Sequence, residues 1–396
     1  MSPSTKRLLT FFCKYVYYAG AGDFLCNGVK ESKIYRIYTL ISFSVYFIMI
    51  FLENLAALIG DFPEVEGKSA VMFSAIHDII LIKMFLIFYY KSSIIKLNNE
   101  MALVMSDIEE ESVIKRQQNK VLWGIGLYVL TVYLSLISYG VESLRKVIVE
   151  GTPFYTVVTY FPSYYDNSFM ASTFRVFFYM TWLYMMLPMI AADCMPIVHL
   201  IIMAYKFVTL CNYYDRIRRN FYNNLKIMNN QSAARILKLQ CLRGILLHQK
   251  LMFLAEEIHR IFGIIMSLQV CESSAVAVLL LLRLALSPHM NLTNAFMTYT
   301  FVGSLFFLLA LNLWNAGEIT YQASLLSNAM FYCGWHVCEM EPTHNDIRCI
   351  ILIGCAQAQK PLILKAFGIQ DLSYSTFVSV ARMTYSVFAV FYQRRT

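Results

Sequence analysis

Five polar residues near the end of the chain, Ser375, Ser379, Arg382, Ser386 and Gln393, follow one another at intervals of four, three, four and seven. On a helix these spacings place them on one face. A wet stripe on an otherwise apolar helix suits the lining of a cavity or pore, because a charge such as Arg382 is costly against lipid. Val390 stands four residues after Ser386 and three before Gln393, so an aliphatic side chain interrupts the polar line. Hydrophobic constrictions gate pores by shedding water, which makes Val390 the candidate gate. The alternative is that the serines bond back to their own helix and Val390 merely packs. One helix cannot enclose a pore, so the pore reading requires several subunits around an axis. Arg382 either faces the inner vestibule or pairs with an acidic residue such as Glu53. Bond-making chemistry has no comparable signature: no HExxH, zinc-type CxxC pair, Walker loop or nucleophile elbow is present. No enzyme activity, cofactor or metal is expected.

The elements that must position this stripe are membrane helices. Of 396 residues 58% are hydrophobic and only 15% charged, and the mean hydropathy is +0.54. A soluble globule would be near half apolar and about a quarter charged. Apolar runs long enough to span a bilayer occur at 37–59, 69–90, 121–141, 169–210, 251–286 and 295–316, with a weaker seventh at 374–392. The fourth and fifth runs exceed a membrane's thickness, so those helices should continue beyond it. Met1 to Tyr18 carries Lys6, Arg7 and Lys14 and lacks a small-residue cleavage site, so no cleavable signal is expected.

Charge orients the crossings. Twenty Lys and Arg fall in one set of connections and five, Lys68, Arg145, Lys146, Arg394 and Arg395, in the other. Positive residues are held on the cytoplasmic side, so the N-terminus should be cytoplasmic and, after seven crossings, the C-terminus extracellular. The net charge of +8 is then a topology signal and implies no nucleic acid. The expected fold class is an all-α membrane protein of seven transmembrane helices with a cytosolic helical anchor. A basic stretch, 212–250, carries Leu225, Met228, Ile236, Leu237, Leu239, Leu242, Leu246 and Leu247 at roughly helical spacing and reads as cytosolic extensions of the fourth and fifth helices. Residues 345–367, with Arg348, Lys360, Pro361 and Lys365, read as a non-spanning helix packed into the same bundle and ending near Gly368. The acidic run Glu109, Glu110, Glu111 reads as a solvated helix face. The ten cysteines are scattered, and those expected in the cytoplasm should stay reduced. The organisation that follows is 1–205 for the tail and first four crossings, 206–250 for the cytosolic extensions, 251–316 for crossings five and six, 317–368 for the anchor and 369–396 for the pore-lining helix. Asn291-Leu292-Thr293 is a glycosylation sequon in a loop expected outside; Asn230-Gln231-Ser232 should be cytoplasmic and unmodified.

The C-terminal fifth resembles the insect odorant receptors. The likeness is carried by Glu318, by Tyr332, Cys333, Gly334 and Trp335, and by Ala356, Gln357, Lys360, Pro361 and Leu362. It continues through Ala366, Gly368, Leu372, Ser373 and Phe377 to Thr384, Tyr385, Ser386 and Phe388. Upstream it extends only to length, topology and the long fourth and fifth helices. The resemblance implies a ligand-gated, non-selective cation channel in the plasma membrane of olfactory sensory neurons. Its last crossing would line the pore, with Val390 at the aliphatic gate and Gln393 at the mouth. Gustatory receptors of similar design end with Thr-Tyr, five apolar residues and Gln, whereas seven residues separate Tyr385 from Gln393 here. The chain lacks the co-receptor's length and large second-loop insertion, so it resembles a ligand-selective subunit that assembles with an olfactory co-receptor in a tetramer, surrounded by membrane lipid. A G-protein-coupled receptor should show the opposite charge bias, and a transporter should show paired repeats or broken helices.

In that family the odorant sits among the outer halves of the second, third, fourth and sixth crossings. The resemblance therefore implies as pocket residues Phe73, Ile76 and His77; Tyr133, Leu136 and Gly140; Phe178 and Thr181; and Tyr299 and Val302. Such side chains suit a small volatile held by dispersion and one or two hydrogen bonds, an ester, alcohol or terpenoid in preference to a charged ligand. Neighbouring helix residues point about 100° apart. His77 is therefore assigned to the pocket and Asp78 to a structural pair.

Overall fold

A computed structural model describes residues 4–25, 32–286, 292–338 and 344–393. The elements in order are α1 (Thr5–Tyr18), α2 (Lys33–Ile59), α3 (Glu64–Tyr89), α4 (Lys91–Leu103), α5 (Glu111–Glu150), α6 (Phe169–Ile227), α7 (Asn230–Leu286), α8 (Leu292–Phe331), α9 (His344–Ala358) and α10 (Tyr374–Gln393). A 3-10 turn, Trp335–Cys338, follows α8, and a two-stranded antiparallel hairpin, β1 (Lys365–Ala366) with β2 (Gln370–Asp371), precedes α10. Among the described residues six helices, α2, α3, α5, α6, α7 and α8, are long and apolar enough to cross a membrane. α10, which carries the serines and Arg382, is not among them.

Local chemistry sets the helix ends. The Ser32 hydroxyl accepts from the Tyr35 amide at 3.1 Å and the Ser168 hydroxyl from the Ala171 amide at 3.1 Å, which caps α2 and α6. Gly151 ends α5 in the left-handed region, φ 65°. α6 continues through Pro188 and Pro196. Each removes one ladder hydrogen bond, which is tolerated because α6 is buried nearly all round by α5, α7 and α8. At 59 residues α6 is roughly 90 Å long at about 1.5 Å per residue, against a hydrocarbon core of about 30 Å. The 57 residues of α7 likewise overrun the bilayer. α5 packs on α8, α2 on α3, and α10 on α7 and α8.

One pole of the bundle carries α1, α4, α9 and the long ends of α6 and α7. α1 buries Leu8, Leu9, Phe12, Cys13 and Val16, and packs on α4. The acidic run is not a solvated face. Glu109 accepts from Thr5 Oγ1 at 2.5 Å and Lys206 Nζ at 2.6 Å, and Glu110 accepts from Asn212 Nδ2 at 3.1 Å. Only Glu111 stands on the surface, paired with Lys115 at 2.8 Å. These carboxylates tie α1 and the start of α5 to α6, a role that sequence spacing cannot display. Of the apolar stripe in 212–250, Leu237 is buried but Leu239, Leu242 and Leu246 are exposed. The face of α7 turned inward uses small residues, and a Cβ on Gly244 would meet Tyr214 Cζ at 2.6 Å.

The helix expected over 345–367 stops at Ala358. Pro361 has no amide hydrogen to continue the ladder, and the chain turns into β1. Phe367 and Gly368, at φ 48° and 72°, make the reversal. The hairpin is held by Phe367 N donating to Ser267 Oγ at 2.8 Å, and the preceding loop by Thr320 Oγ1 donating to Leu362 O at 2.7 Å.

Candidate functional site

A cavity lies among α3, α5, α6, α7 and α8, and the space in it open to the centre of a water molecule is about 70 Å³. Its aromatic end is built by Phe73, Tyr139, Trp182 and Phe301. Phe73 meets Tyr139 edge-on with ring centroids 5.6 Å apart, meets Trp182 at 5.8 Å, and stacks on Phe301 at 6.0 Å. These are offset and T-shaped geometries that aromatic quadrupoles favour. Phe73 and Tyr139 also line a second, more polar recess with Glu66, Glu142, Ser143 and Lys146, so the two rings partition the cavity from the pole that carries residues 151–167. That segment is tied down by Arg175, which donates to the carbonyls of Ser163 at 2.8 Å and Asp166 at 2.7 Å and lies 4.7 Å from the Tyr155 ring centre.

The opposite end of the cavity is polar. Lys83 Nζ donates to Asp193 Oδ1 at 2.8 Å, Gln269 Oε1 at 2.6 Å and Glu272 Oε2 at 2.8 Å, and Tyr128 donates to Asp193 Oδ2 at 2.9 Å. Lys83 is 1% exposed, so the whole charge is held by these partners. Tyr128, Asp193 and Glu272 face the cavity. His77 lines it as well, but both its ring nitrogens are engaged, Nδ1 with Glu53 Oε2 at 2.5 Å and Nε2 accepting from Trp182 Nε1 at 3.1 Å. Only the face of the imidazole is left for a ligand. Asp78 accepts from Asn54 Nδ2 at 3.0 Å.

Of the residues singled out from sequence, the cavity brings together Phe73, Ile76, His77 and Leu136. Gly140, Thr181 and Val302 each stand one position away from a lining residue, Tyr139, Trp182 and Phe301. One position is about 100° of rotation. A Cβ on Gly140 would lie 2.7 Å from Tyr179 Cζ, so this glycine lets α5 and α6 approach. Thr181 lines a separate groove with Tyr38 and Tyr184. Tyr133 donates to Leu183 O at 3.2 Å, Phe178 packs half-buried against the core, and Tyr299, 58% exposed, points away. The charges Asp193 and Glu272 were not singled out, although ionisable residues inside apolar helices are themselves a signal.

On α10 the residues Ser375, Ser379, Arg382 and Ser386 are exposed, and Val390 is 49% exposed. The opposite face, Thr376, Val380 and Thr384, is buried. Ser379 Oγ donates to Ser375 O at 2.9 Å, so this serine does bond back to its helix. Gln393 closes α10, with its side chain outside the described residues, as is Asn291. Asn230 opens α7 at the pole that carries α9. The start of α10 is fixed by Tyr374, whose hydroxyl donates to Glu318 Oε2 at 2.7 Å and whose ring lies against Gly317. Glu53 on α2, held by His77 on α3, is not the partner of Arg382. Among the described residues no group of three or more His, Cys, Asp and Glu is placed to hold a metal.

The model of the 7tm odorant receptor family matches residues 67–385. Two solved structures share the fold over 98% of both chains at 13% identity: the insect olfactory receptor OR5 from Machilis hrabei, TM-score 0.80, and the same receptor in complex with eugenol, TM-score 0.79. No curated protein sequence matches the chain significantly.

Proposed function

This chain belongs to the 7tm odorant receptor family, and from that premise we propose that it is the ligand-selective subunit of an odorant-gated, non-selective cation channel. The observation that carries the reading is the two-faced α10. Its polar stripe is left uncovered by the rest of the chain while Thr376, Val380 and Thr384 pack inward. Exposed polar groups on a membrane helix suit a water-filled axis shared with other subunits. In this reading Val390 forms an aliphatic ring at the gate, Gln393 stands at the mouth, and Arg382 and Ser386 line the wall below. The exposed Leu239, Leu242 and Leu246 on α7 supply apolar surface for subunit contacts at the anchor.

The charge count supports a cytoplasmic N-terminus and an extracellular C-terminus, with the pole of α1, α4 and α9 inside and Asn291 outside and glycosylated. The OR5 receptor binds eugenol, and the aromatic cavity here supports a small volatile as ligand, in contact with Phe73, Ile76, His77 and Leu136. Gly140 sets the close approach of α5 and α6 behind that wall. The partner is an olfactory co-receptor subunit in a tetramer, and the site of action is the plasma membrane of olfactory sensory neurons.

The test is whole-cell current from cells expressing this chain with an insect olfactory co-receptor, and each alone, with G-protein signalling blocked. Rapid current to volatiles in the pair alone is expected. A response that needs G-protein signalling would sink the channel reading, and current from this chain alone would remove the co-receptor.

A further inference from the structure

Three ionisable side chains meet at the polar end of the cavity, inside helices apolar enough to cross a membrane. The three ammonium hydrogens of Lys83 match its three acceptors, Asp193, Gln269 and Glu272, and leave none for a ligand. Tyr128 occupies the second oxygen of Asp193. Glu272 is different. It is 4% exposed and lines the cavity, and among the described residues only its Oε2 is engaged. One lysine faces two carboxylates, so the ionised cluster carries one negative charge in excess. A carboxylate oxygen that lines a mostly apolar cavity is costly to leave without a donor. At its other end the same cavity is walled by four aromatic rings, against which a hydrocarbon body can pack.

We propose that this cavity selects small volatile amines, with the amine nitrogen donating to Glu272 and the hydrocarbon body against Phe73, Trp182, Tyr139 and Phe301. The inference rests on the cavity being the odorant site and names the ligand class that site takes. Lys83 acts as a positioning residue, since it grips the other oxygen of Glu272 and fixes the carboxylate toward the cavity. A ligand without a donor leaves that carboxylate unsatisfied and loses at least about tenfold in affinity.

The experiment uses the purified full chain and three probes of matched size, 3-methylbutylamine, 3-methylbutan-1-ol and 2-methylpentane, with binding read by tryptophan fluorescence. The expected order is amine, then alcohol, then alkane, with the amine at least about tenfold tighter than the alkane. Glu272→Gln should bring the amine down to the level of the alcohol and leave the alkane where it was. The ranking in the unaltered chain decides the matter even where that variant does not fold. An alkane that binds as tightly as the amine, or an amine preference that survives Glu272→Gln, overturns the inference while leaving the odorant cavity standing. If none of the three binds, the cavity reading falls with it.

Discussion

Nδ1 of His77 on α3 lies 2.5 Å from Oε2 of Glu53 on α2, while Nε2 of the same ring accepts from Trp182 on α6. Because Nε2 is an acceptor, the proton sits on Nδ1 and is donated to the carboxylate. One imidazole thereby joins three helices behind the cavity. Glu53→Ala should cost about 1–3 kcal/mol by leaving a buried donor without its acceptor. Glu53→Gln keeps an acceptor oxygen and should cost less. Thermal unfolding of the purified chain checks the order, and equal losses would show that an amide oxygen does not take over the carboxylate's role.

Side chains that share the cavity should control the odorant response, and those outside it should not. Leu136→Trp fills the cavity and is expected to abolish the response without loss of surface expression. Tyr299 points away, so Tyr299→Ala should leave the half-maximal concentration within about threefold, a surface substitution being worth at most about 0.5 kcal/mol. Dose–response curves for the two variants, with surface labelling, decide this.

The two faces of α10 should separate gating from stability. Val390→Ala, at a half-exposed position, is expected to raise basal current with thermal stability unchanged. Val380→Ala, on the buried face, is expected to lower stability by about 1–3 kcal/mol through lost burial and the cavity left behind. Basal current that stays at the native level in Val390→Ala would remove this residue from the gate.

At the pole that carries α9, Arg243 bonds Asp107 and holds its carboxyl below the usual 3.8. A depressed folded value means the contribution is complete above the unfolded value and is lost as pH falls through the folded one. Both groups are largely exposed, so the pair contributes at most about 1 kcal/mol and is screened by salt. Arg243→Gln should lower thermal stability slightly at neutral pH and low salt, and the difference from the native chain should shrink in acid and vanish once pH has fallen through the folded value of Asp107. A difference that persists in acid would assign the loss to packing of the arginine stem.

The sequence by itself determined the class of molecule and most of its elements. Apolar runs report helix length directly, because a bilayer demands a fixed length of internally hydrogen-bonded chain, and α6 and α7 overrun it as their runs do. The polar stripe on α10 was legible because residues three and four apart share a helix face, although Val378, Met383 and Tyr385 are exposed beside it. The helices around the cavity are apolar on every side, and nothing in their periodicity says which way they turn. Gly140, Thr181 and Val302 each miss the wall by one residue for that reason. Partners distant in the chain were equally hidden. Lys83 meets Asp193 and Glu272, Glu53 meets His77, and Glu109 meets Thr5 and Lys206 only because packing brings separate helices together. Rotation and pairing are set by contacts between helices, and the tertiary structure alone decided them.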